Sequence, residues 1–534
     1  MTASKTKSTL LPFILVFLVM LIGCNHYQEN RKPNVLIILV DDLGYHDLSF
    51  TGSSFYETPN IDALASNSVQ FSNAYASSPV CSPARASIMT GQLPSRHGIT
   101  DWIGAKTGEE WRSHNRYTKM LPASNNSVLD TSHVTLPEAM KEAGYTTFIA
   151  GKWHIGGKGS SPEDHGFDIN IGAWDKGSPV GGFFDPYKNP KLPNRSPGES
   201  LPYRLADETA SFIQNHSREN PDKPFFAYLS FYSVHSPLQT TEAKWRKYRD
   251  KADSLGIRSN GFFMGSRIPV RQTQDHPVYA GLIEQMDEAI GHIISQLKES
   301  GTYDNTLIIF TSDNGGVSSG DHFSTTNYPL KSGKGSTFEG GIRVPFFMIL
   351  PGENHAGKEI SAPIISTDIY PTVLALTDLD LHPEQHIDGT NLMLLIEANE
   401  PLDRNLIWHY PHYSNQDGRP SSAIRIDNWK LIYDHETQKN EIYNLSEDPS
   451  ELNNVVELNP ELEQSMHKVL MTHLVEVGAL FPLPDPLYDP RKEQDYLHRM
   501  KTKRLQHLER QRHLFLSHDF TPNETWWGSK PTND

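Results

Sequence analysis

The sequence predicts an α/β fold. A mixed, mostly parallel sheet is sandwiched by helices, and a smaller C-terminal subdomain adds a short antiparallel sheet and a helix. Three observations predict it. Apolar, β-branched runs alternate with helical periodicities through the first two-thirds of the chain. Polar residues collect just beyond the ends of those runs. Near residue 400 the pattern changes to short strands separated by turns.

The elements follow in order. Lys5 and Lys7 precede an apolar run from Leu10 to Ile22, broken only by Pro12. The run suits a signal peptide and is short for a membrane span. It ends in Leu21-Ile22-Gly23-Cys24, which resembles a bacterial lipobox. Residues 1–23 then read as a lipoprotein signal peptide, Cys24 as the lipid attachment site and residues 24–33 as a polar tether. The expected product is a bacterial lipoprotein held to a lipid membrane, facing the periplasm or cell surface. The alternative is an ordinary signal peptide with an incidental cysteine.

Residues 34–398 read as one large α/β domain. Asn34 to Val40 is continuously apolar after its first residue, as in a parallel strand buried on both faces, and stops at Asp41-Asp42. Thr146 to Ala150 leads to Lys152 and His154. Pro224 to Phe231 leads to His235, and Thr306 to Phe310 leads to Asp313-Asn314-Gly315. Helical patterns separate them at Ile61–Ser68, Leu136–Glu142 and Ala280–Glu299. Pro137 in the first turn and Gly144 past the end bound the second. Open α/β sheets bind ligands beyond the carboxyl ends of their strands, so four separate stretches are expected to meet in one site. Residues 240–276 read as a polar insertion, either a lid or a plain surface helix. Residues 399–480 form the C-terminal subdomain, with strands at Ala423–Ile426, Trp429–Tyr433 and Glu441–Leu445 and a helix from about Pro460 to Val477. Residues 481–534 are a polar, basic extension with a helix-like stretch from Arg491 to Arg512.

Composition narrows the function. The chain has 534 residues, 37% hydrophobic and 21% charged, as a globular protein does. Lys+Arg 48 against Asp+Glu 64 leaves −16, so nucleic acid is not an expected partner. Two cysteines, Cys24 and Cys81, exclude a disulfide framework or a zinc ribbon.

The Asp41-Asp42 and Asp313-Asn314 pairs offer only oxygen ligands, which suit a hard cation better than zinc. Cys81 stands at the start of a predicted helix, where backbone N–H groups favour anions. Cys81-Ser82-Pro83-Ala84-Arg85 resembles the C-x-P-x-R signature of the formylglycine-dependent type I sulfatases, members of the alkaline phosphatase superfamily. Gly151-Lys152-Trp153-His154-Ile155-Gly156 resembles the second family signature, and the two acidic pairs resemble its metal ligands. Gly333-Lys334-Gly335-Ser336-Thr337 through Pro345 resembles a further family stretch. Tyr443-Asn444-Leu445 resembles part of the family's small subdomain. The motifs stand in family order.

The resemblance implies an alkaline-phosphatase-like fold and a sulfatase. It implies that a formylglycine-installing enzyme oxidises Cys81, whose hydrate is the nucleophile. Asp41, Asp42, Asp313, Asn314 and modified residue 81 would hold one divalent cation, Ca²⁺ before Mg²⁺. Arg85 and Lys152 would support the formylglycine hydroxyls and the sulfate. His154 would lie against the nucleophile. His235 and Lys334 would contact the sulfate and the leaving oxygen, one of them as general acid; Glu339 and Arg343 would be structural. The chemistry is consistent: charge builds on the bridging oxygen as the S–O bond breaks, and pre-aimed cations stabilise it. A geminal diol can expel sulfate by reforming the aldehyde, whereas serine would need a second attack at sulfur.

Trp408-His409-Tyr410-Pro411-His412-Tyr413 and Gly418-Arg419 to Arg425 resemble stretches of bacterial polysaccharide sulfatases, some acting on 4-sulfated galactose. His409, His412, Arg419 and Arg425 are therefore candidate glycan contacts; equally, they could only join the two subdomains. Sulfated galactan, carrageenan, ulvan or glycosaminoglycan is the expected substrate class, with exo action on galactose 4-sulfate favoured. The alternatives are a phosphatase or phosphodiesterase of the same superfamily, or a non-catalytic glycan-binding lipoprotein.

Overall fold

The computed structural model describes residues 31–257, 260–352, 356–398 and 402–520. The signal segment, Cys24 and most of the tether lie outside the described residues.

The apolar runs become strands β1 Asn34–Val40, β2 Val69–Phe71, β3 Thr146–Gly151, β4 Ile169–Ile171, β5 Phe225–Ser230, β6 Thr306–Ser312, β7 Phe346–Ile349 and β8 Lys358–Ile360. They form one sheet in the order β8-β2-β7-β6-β1-β5-β3-β4. β6, β1, β5, β3 and β4 run parallel, and β7 is antiparallel to both its neighbours. Every residue of β1 is buried, as its unbroken apolar run predicts.

Alternate side chains of β1 enter opposite cores. Leu36, Ile38 and Val40 pack with the helices Leu201–Glu219 and Pro277–Glu299. Val35, Ile37 and Leu39 pack with the helices Cys81–Thr90, Leu136–Glu142 and Ile369–Leu376. This is the two-faced sandwich expected for an alkaline-phosphatase-like fold. The helix Leu201–Glu219 and the antiparallel β7 were not among the elements read from the sequence. The helix opens on Leu201-Pro202 and carries a mixed polar surface, and β7 is short.

The C-terminal sheet has four antiparallel strands, β9 Leu406–Tyr410, β10 Ser421–Ile426, β11 Trp429–Asp434 and β12 Lys439–Asn444. One face packs on the helix Pro460–Glu476, the other on residues of the larger unit including Tyr75, Ile342 and Ile365. The insertion holds a helix, Glu242–Ser254, and a hairpin, Phe262–Met264 with Pro269–Arg271. That helix buries Trp245 and Tyr248 in the core, so it is an integral wall and not a free surface helix.

Candidate active site

β6, β1, β5 and β3 lie side by side with their carboxyl ends together. Val40 pairs with Ser312, so Asp41-Asp42 and Asp313-Asn314 emerge next to each other. Gly151 pairs with Ser230, which brings the Lys152 and His235 segments alongside. Gly151 has φ +99°, and a Cβ there would overlap the Ser230 carbonyl; only glycine lets β3 turn so close to β5.

The side chains form one buried charge network. Asp41, Asp42 and Asp313 each bring a carboxylate oxygen within 4.8 Å of the others. Lys152 Nζ donates to Asp41 Oδ2 at 2.7 Å. Arg85 Nε donates to Asp313 Oδ2 at 2.8 Å, and Nη2 lies 3.6 Å from Asp41 Oδ1. Lys334 Nζ lies 2.7 Å from Asp42 Oδ1 and 2.9 Å from Oδ2. Asn314 Nδ2 donates to Asp42 Oδ1 at 2.8 Å. Asp42 sits at φ +66°, an unfavourable conformation for a non-glycine residue, and its N–H donates to Asp313 Oδ1 at 3.1 Å.

Burial and charge pull these groups apart. Burial raises the Asp41 carboxyl well above its ordinary range, against the pull of Lys152. Burial acts the same way on Asp42, but Lys334, His235 and Lys152 outweigh it and hold that carboxyl below its ordinary range. Lys334 is raised in return by Asp42 despite its burial.

Cys81 begins the helix Cys81–Thr90 as expected and is buried. His154 Nε2–H donates to the Ile103 carbonyl at 3.0 Å, so Nδ1 is left as an acceptor for the Cys81 thiol, 3.4 Å away. Burial, then Lys152, push His154 well below its ordinary pKa, which keeps the ring neutral. His235 Nδ1–H donates to the Ser236 carbonyl at 2.7 Å. Its Nε2 lies 3.7 Å from Asp42 Oδ2. Burial, reinforced by Lys334, lowers His235 to about 4.

A model of the family described as Sulfatase matches residues 33–379. The chain belongs to the sulfatase family. It is a sulfuric ester hydrolase of the alkaline-phosphatase-like superfamily. A second model, N-sulphoglucosamine sulphohydrolase, C-terminal, matches residues 333–478. A protein named Sulfatase from Formosa agariphila is 29% identical over 527 residues, covering 85% of this chain and 90% of that protein. The N-acetylgalactosamine-6-sulfatase of Mus musculus is 32% identical over 403 residues, covering 71% of this chain and 69% of that protein. A crystal structure of Ps i-CgsB in complex with k-i-k-neocarrahexaose superposes with TM-score 0.68 at 27% identity, covering 90% of this chain and all of that one.

In this sulfatase, Cys81, His154, His235 and Lys334 open onto one cleft of about 720 Å³. Trp102, Lys158, Lys176 and Asp321 line it as well.

The proposed glycan contacts do not line that cleft. His409 is buried; its Nδ1 bonds Ser422 Oγ and its Nε2–H donates to the Leu480 carbonyl. His412 is fully buried against Thr100. Arg425 is buried against Tyr75 and the Asp427 carbonyl. Arg419 is half-buried, pairs with Asp434 at 3.1 Å and faces a different pocket. His412 and Arg425 join the two subdomains, through Thr100 and Tyr75, whereas His409 and Arg419 bond within the C-terminal subdomain. Glu339 and Arg343 are structural as expected. Glu339 takes Lys430 and Tyr75, and Arg343 donates to the Ser72 carbonyl.

Sequence reasoning missed Ser230, which accepts from Arg85 Nη1 at 2.6 Å, and the Ile103 carbonyl, which sets the His154 tautomer. Ser230 could have been flagged as the one hydroxyl ending an otherwise apolar strand. A backbone carbonyl leaves no sequence signal.

Proposed function

We propose that this sulfatase hydrolyses sulfate monoesters on a sulfated glycan, through a formylglycine made from Cys81 and one divalent cation. The observation that carries this is the convergence on Cys81: a thiol at a helix N-terminus, with a neutral histidine acceptor at 3.4 Å and three cations close by.

The donor set fits a hard cation. Asp41 Oδ1 and Asn314 Oδ1 are buried with no hydrogen-bond partner, beside two further carboxylates. Three carboxylates, Asp41, Asp42 and Asp313, face three cations, Arg85, Lys152 and Lys334. Adding a divalent ion leaves an excess of two positive charges, which matches a sulfate ester and an ionising nucleophile. Asp41, Asp42, Asp313 and Asn314 would hold the ion, and Ca²⁺ suits this all-oxygen set. When bound, it supplies Lewis-acid polarisation of the sulfate oxygens and of the nucleophile.

Residue 81 is present as cysteine, whose Sγ marks where the formylglycine oxygens would project from Cβ. The hydrated aldehyde supplies a geminal diol, one hydroxyl to attack sulfur and a second to drive sulfate release. His154 Nδ1 is oriented to take a proton from that diol. Arg85 and Lys152 supply positive charge beside it. His235 Nε2 and Lys334 Nζ flank Asp42 on the cleft side, and one of them protonates the departing sugar oxygen.

A glycan reading is supported by the cleft, which is larger than a sulfate needs and carries the half-exposed Trp102 as a face for a sugar ring. It is supported also by the names of the relatives. Sulfated galactan or carrageenan, and exo action on galactose 4-sulfate, are the first substrates to offer. We also propose that Cys24 is lipidated and holds the enzyme at a membrane; intact mass of the mature protein tests this.

The deciding experiment uses protein from a formylglycine-installing host, with residue 81 verified by peptide mass. Sulfate release is measured from galactose-4-sulfate-terminated oligosaccharides and from the same chains capped by an unsulfated sugar. Release from the uncapped set alone supports exo action; a chelator should abolish it and Ca²⁺ restore it. No sulfate release from carrageenan, ulvan or glycosaminoglycan oligosaccharides, with formylglycine verified, would refute the glycan reading. Lys152→Ala and His235→Ala should lose turnover without unfolding.

A further inference from the structure

One wall of the catalytic cleft is made of two loops. Asp321 and His322 come from the first, Asn415 and Gln416 from the second. Gln416 Nε2 donates to Asp321 Oδ2 at 2.6 Å. Gly320 packs so closely on Asn415 that a Cβ there would overlap the Asn415 carbonyl. Asp321 and Phe323 both have positive φ, +40° and +50°. Side-chain-bearing residues hold that backbone only where the surroundings impose it.

The support comes from the hairpin behind the wall. Arg271 N–H donates to the Ser318 carbonyl at 2.7 Å, and Arg271 Nε to the Phe323 carbonyl at 2.6 Å. Ser319 Oγ donates to the Pro269 carbonyl at 2.8 Å. The backbone N–H groups of Ser266, Arg267 and Ile268 all donate to the Asp417 carboxylate.

The hairpin is held in turn by the C-terminal extension, helices Pro490–Arg499 and Leu505–Phe515. Buried Arg512 donates to Asp275 Oδ2 at 2.5 Å, and Arg271 Nη1 to Asp275 Oδ1 at 2.5 Å. Glu493 pairs with Arg267. Leu508 forms a small apolar cluster with Phe262 of the hairpin and Phe323 of the wall itself. The Arg504 guanidinium lies 5.4 Å from the centre of the Phe323 ring. The extension lies beyond both family models, which end at residues 379 and 478.

We propose that the C-terminal extension belongs to the substrate site: it positions the Asp321–His322 wall, and Asp321 is a specificity-determining residue. The proposal rests on the glycan reading above. A carboxylate in that wall accepts hydrogen bonds from sugar hydroxyls and repels a second sulfate. It therefore selects a sugar with a free hydroxyl beside the scissile ester.

Leu508→Ala and Arg504→Gln test the positioning, with Leu508→Met as the conservative rescue. Hydrogen exchange of the 318–326 amides should quicken about tenfold in Leu508→Ala, while β6 stays protected. The KM for the sulfated oligosaccharide should rise about fivefold, with kcat for a small aryl sulfate unchanged. Arg504→Gln should move both readouts the same way by less, and Leu508→Met should restore both. Unchanged exchange, or an aryl sulfate kcat that falls with the oligosaccharide rate, overturns the positioning. Asp321→Asn should raise the relative rate on sugars carrying a second sulfate; an unchanged ratio overturns the selection. If the wild type cleaves only the aryl sulfate, the glycan reading and the selection fall, and exchange alone decides the positioning.

Discussion

His435 Nε2–H donates to Ser422 Oγ at 2.8 Å, Ser422 donates to His409 Nδ1 at 2.7 Å, and His409 Nε2–H donates to the Leu480 carbonyl. The Leu480 carbonyl fixes a proton on His409 Nε2, and with the ring neutral the other protons of the chain follow. Burial lowers His409 to about 4. A histidine depressed on folding stabilises fully above its unfolded pKa of about 6.5 and loses that contribution as pH falls towards its folded value. The loss from pH 7 to pH 5 is about 2 kcal/mol. In His409→Gln the stability deficit relative to wild type should shrink by that amount over the same interval, measured by thermal unfolding. A deficit that does not change with pH would contradict a buried neutral imidazole. The same residue shows why the sequence left both readings open, glycan contact or packing: histidine and arginine carry the same letters whether they face a sugar or close a core.

The helix Cys81–Thr90 is the element on which the site depends. All its residues are buried, its first residue is Cys81, the proposed nucleophile position, and Arg85 reaches Asp313 one turn on. It ends at Gly91, where φ is +67° and the N–H donates to the Ser87 carbonyl at 2.8 Å. A Cβ at Gly91 would also meet His386. Gly91→Ala should therefore cost about 1–2 kcal/mol or more, read from denaturant midpoints. A neutral substitution would show that the turn can relax. Helix ends and parallel strands were legible at this scale because proline, glycine and unbroken apolar runs are local signals. β9 was not, because Trp408-His409-Tyr410 is polar at its centre, and its hydrogen-bonding partner β10 is what makes it a strand.

Across the whole molecule, the two sheets are joined by a buried ionic cluster. Lys430 of β11 lies 2.9 Å from Glu339 and 2.8 Å from Glu451, all three buried. Tyr75 OH donates to Glu339 Oε2 at 2.8 Å, and Arg425 reaches the same tyrosine. Lys430→Met should destabilise by about 3–5 kcal/mol, because it removes the cation that both buried carboxylates hold and leaves Glu339 with Arg343 at 3.9 Å. Adding Glu339→Gln and Glu451→Gln to Lys430→Met should regain part of that. If the single change costs less than about 1 kcal/mol, the cluster does not hold the subdomain in place.

The sequence by itself determined the fold class and, through the resemblance of its motifs, the candidate nucleophile position, the two acidic pairs and the cations proposed around them. Cys81 and the acidic pairs stand at helix and strand ends, so chain-local patterns place them on one edge of the sheet; Arg85, within a helix, and Lys334, in a loop, were legible through the family motifs. Only the tertiary structure decided which nitrogen of His154 faces Cys81, because a backbone carbonyl from another loop sets it. It also decided that His409, His412 and Arg425 are spent on packing, and that the basic extension reaches the wall of the cleft. Those outcomes depend on contacts between segments separated by tens to hundreds of residues, and no local pattern encodes which of two distant surfaces a polar side chain will meet.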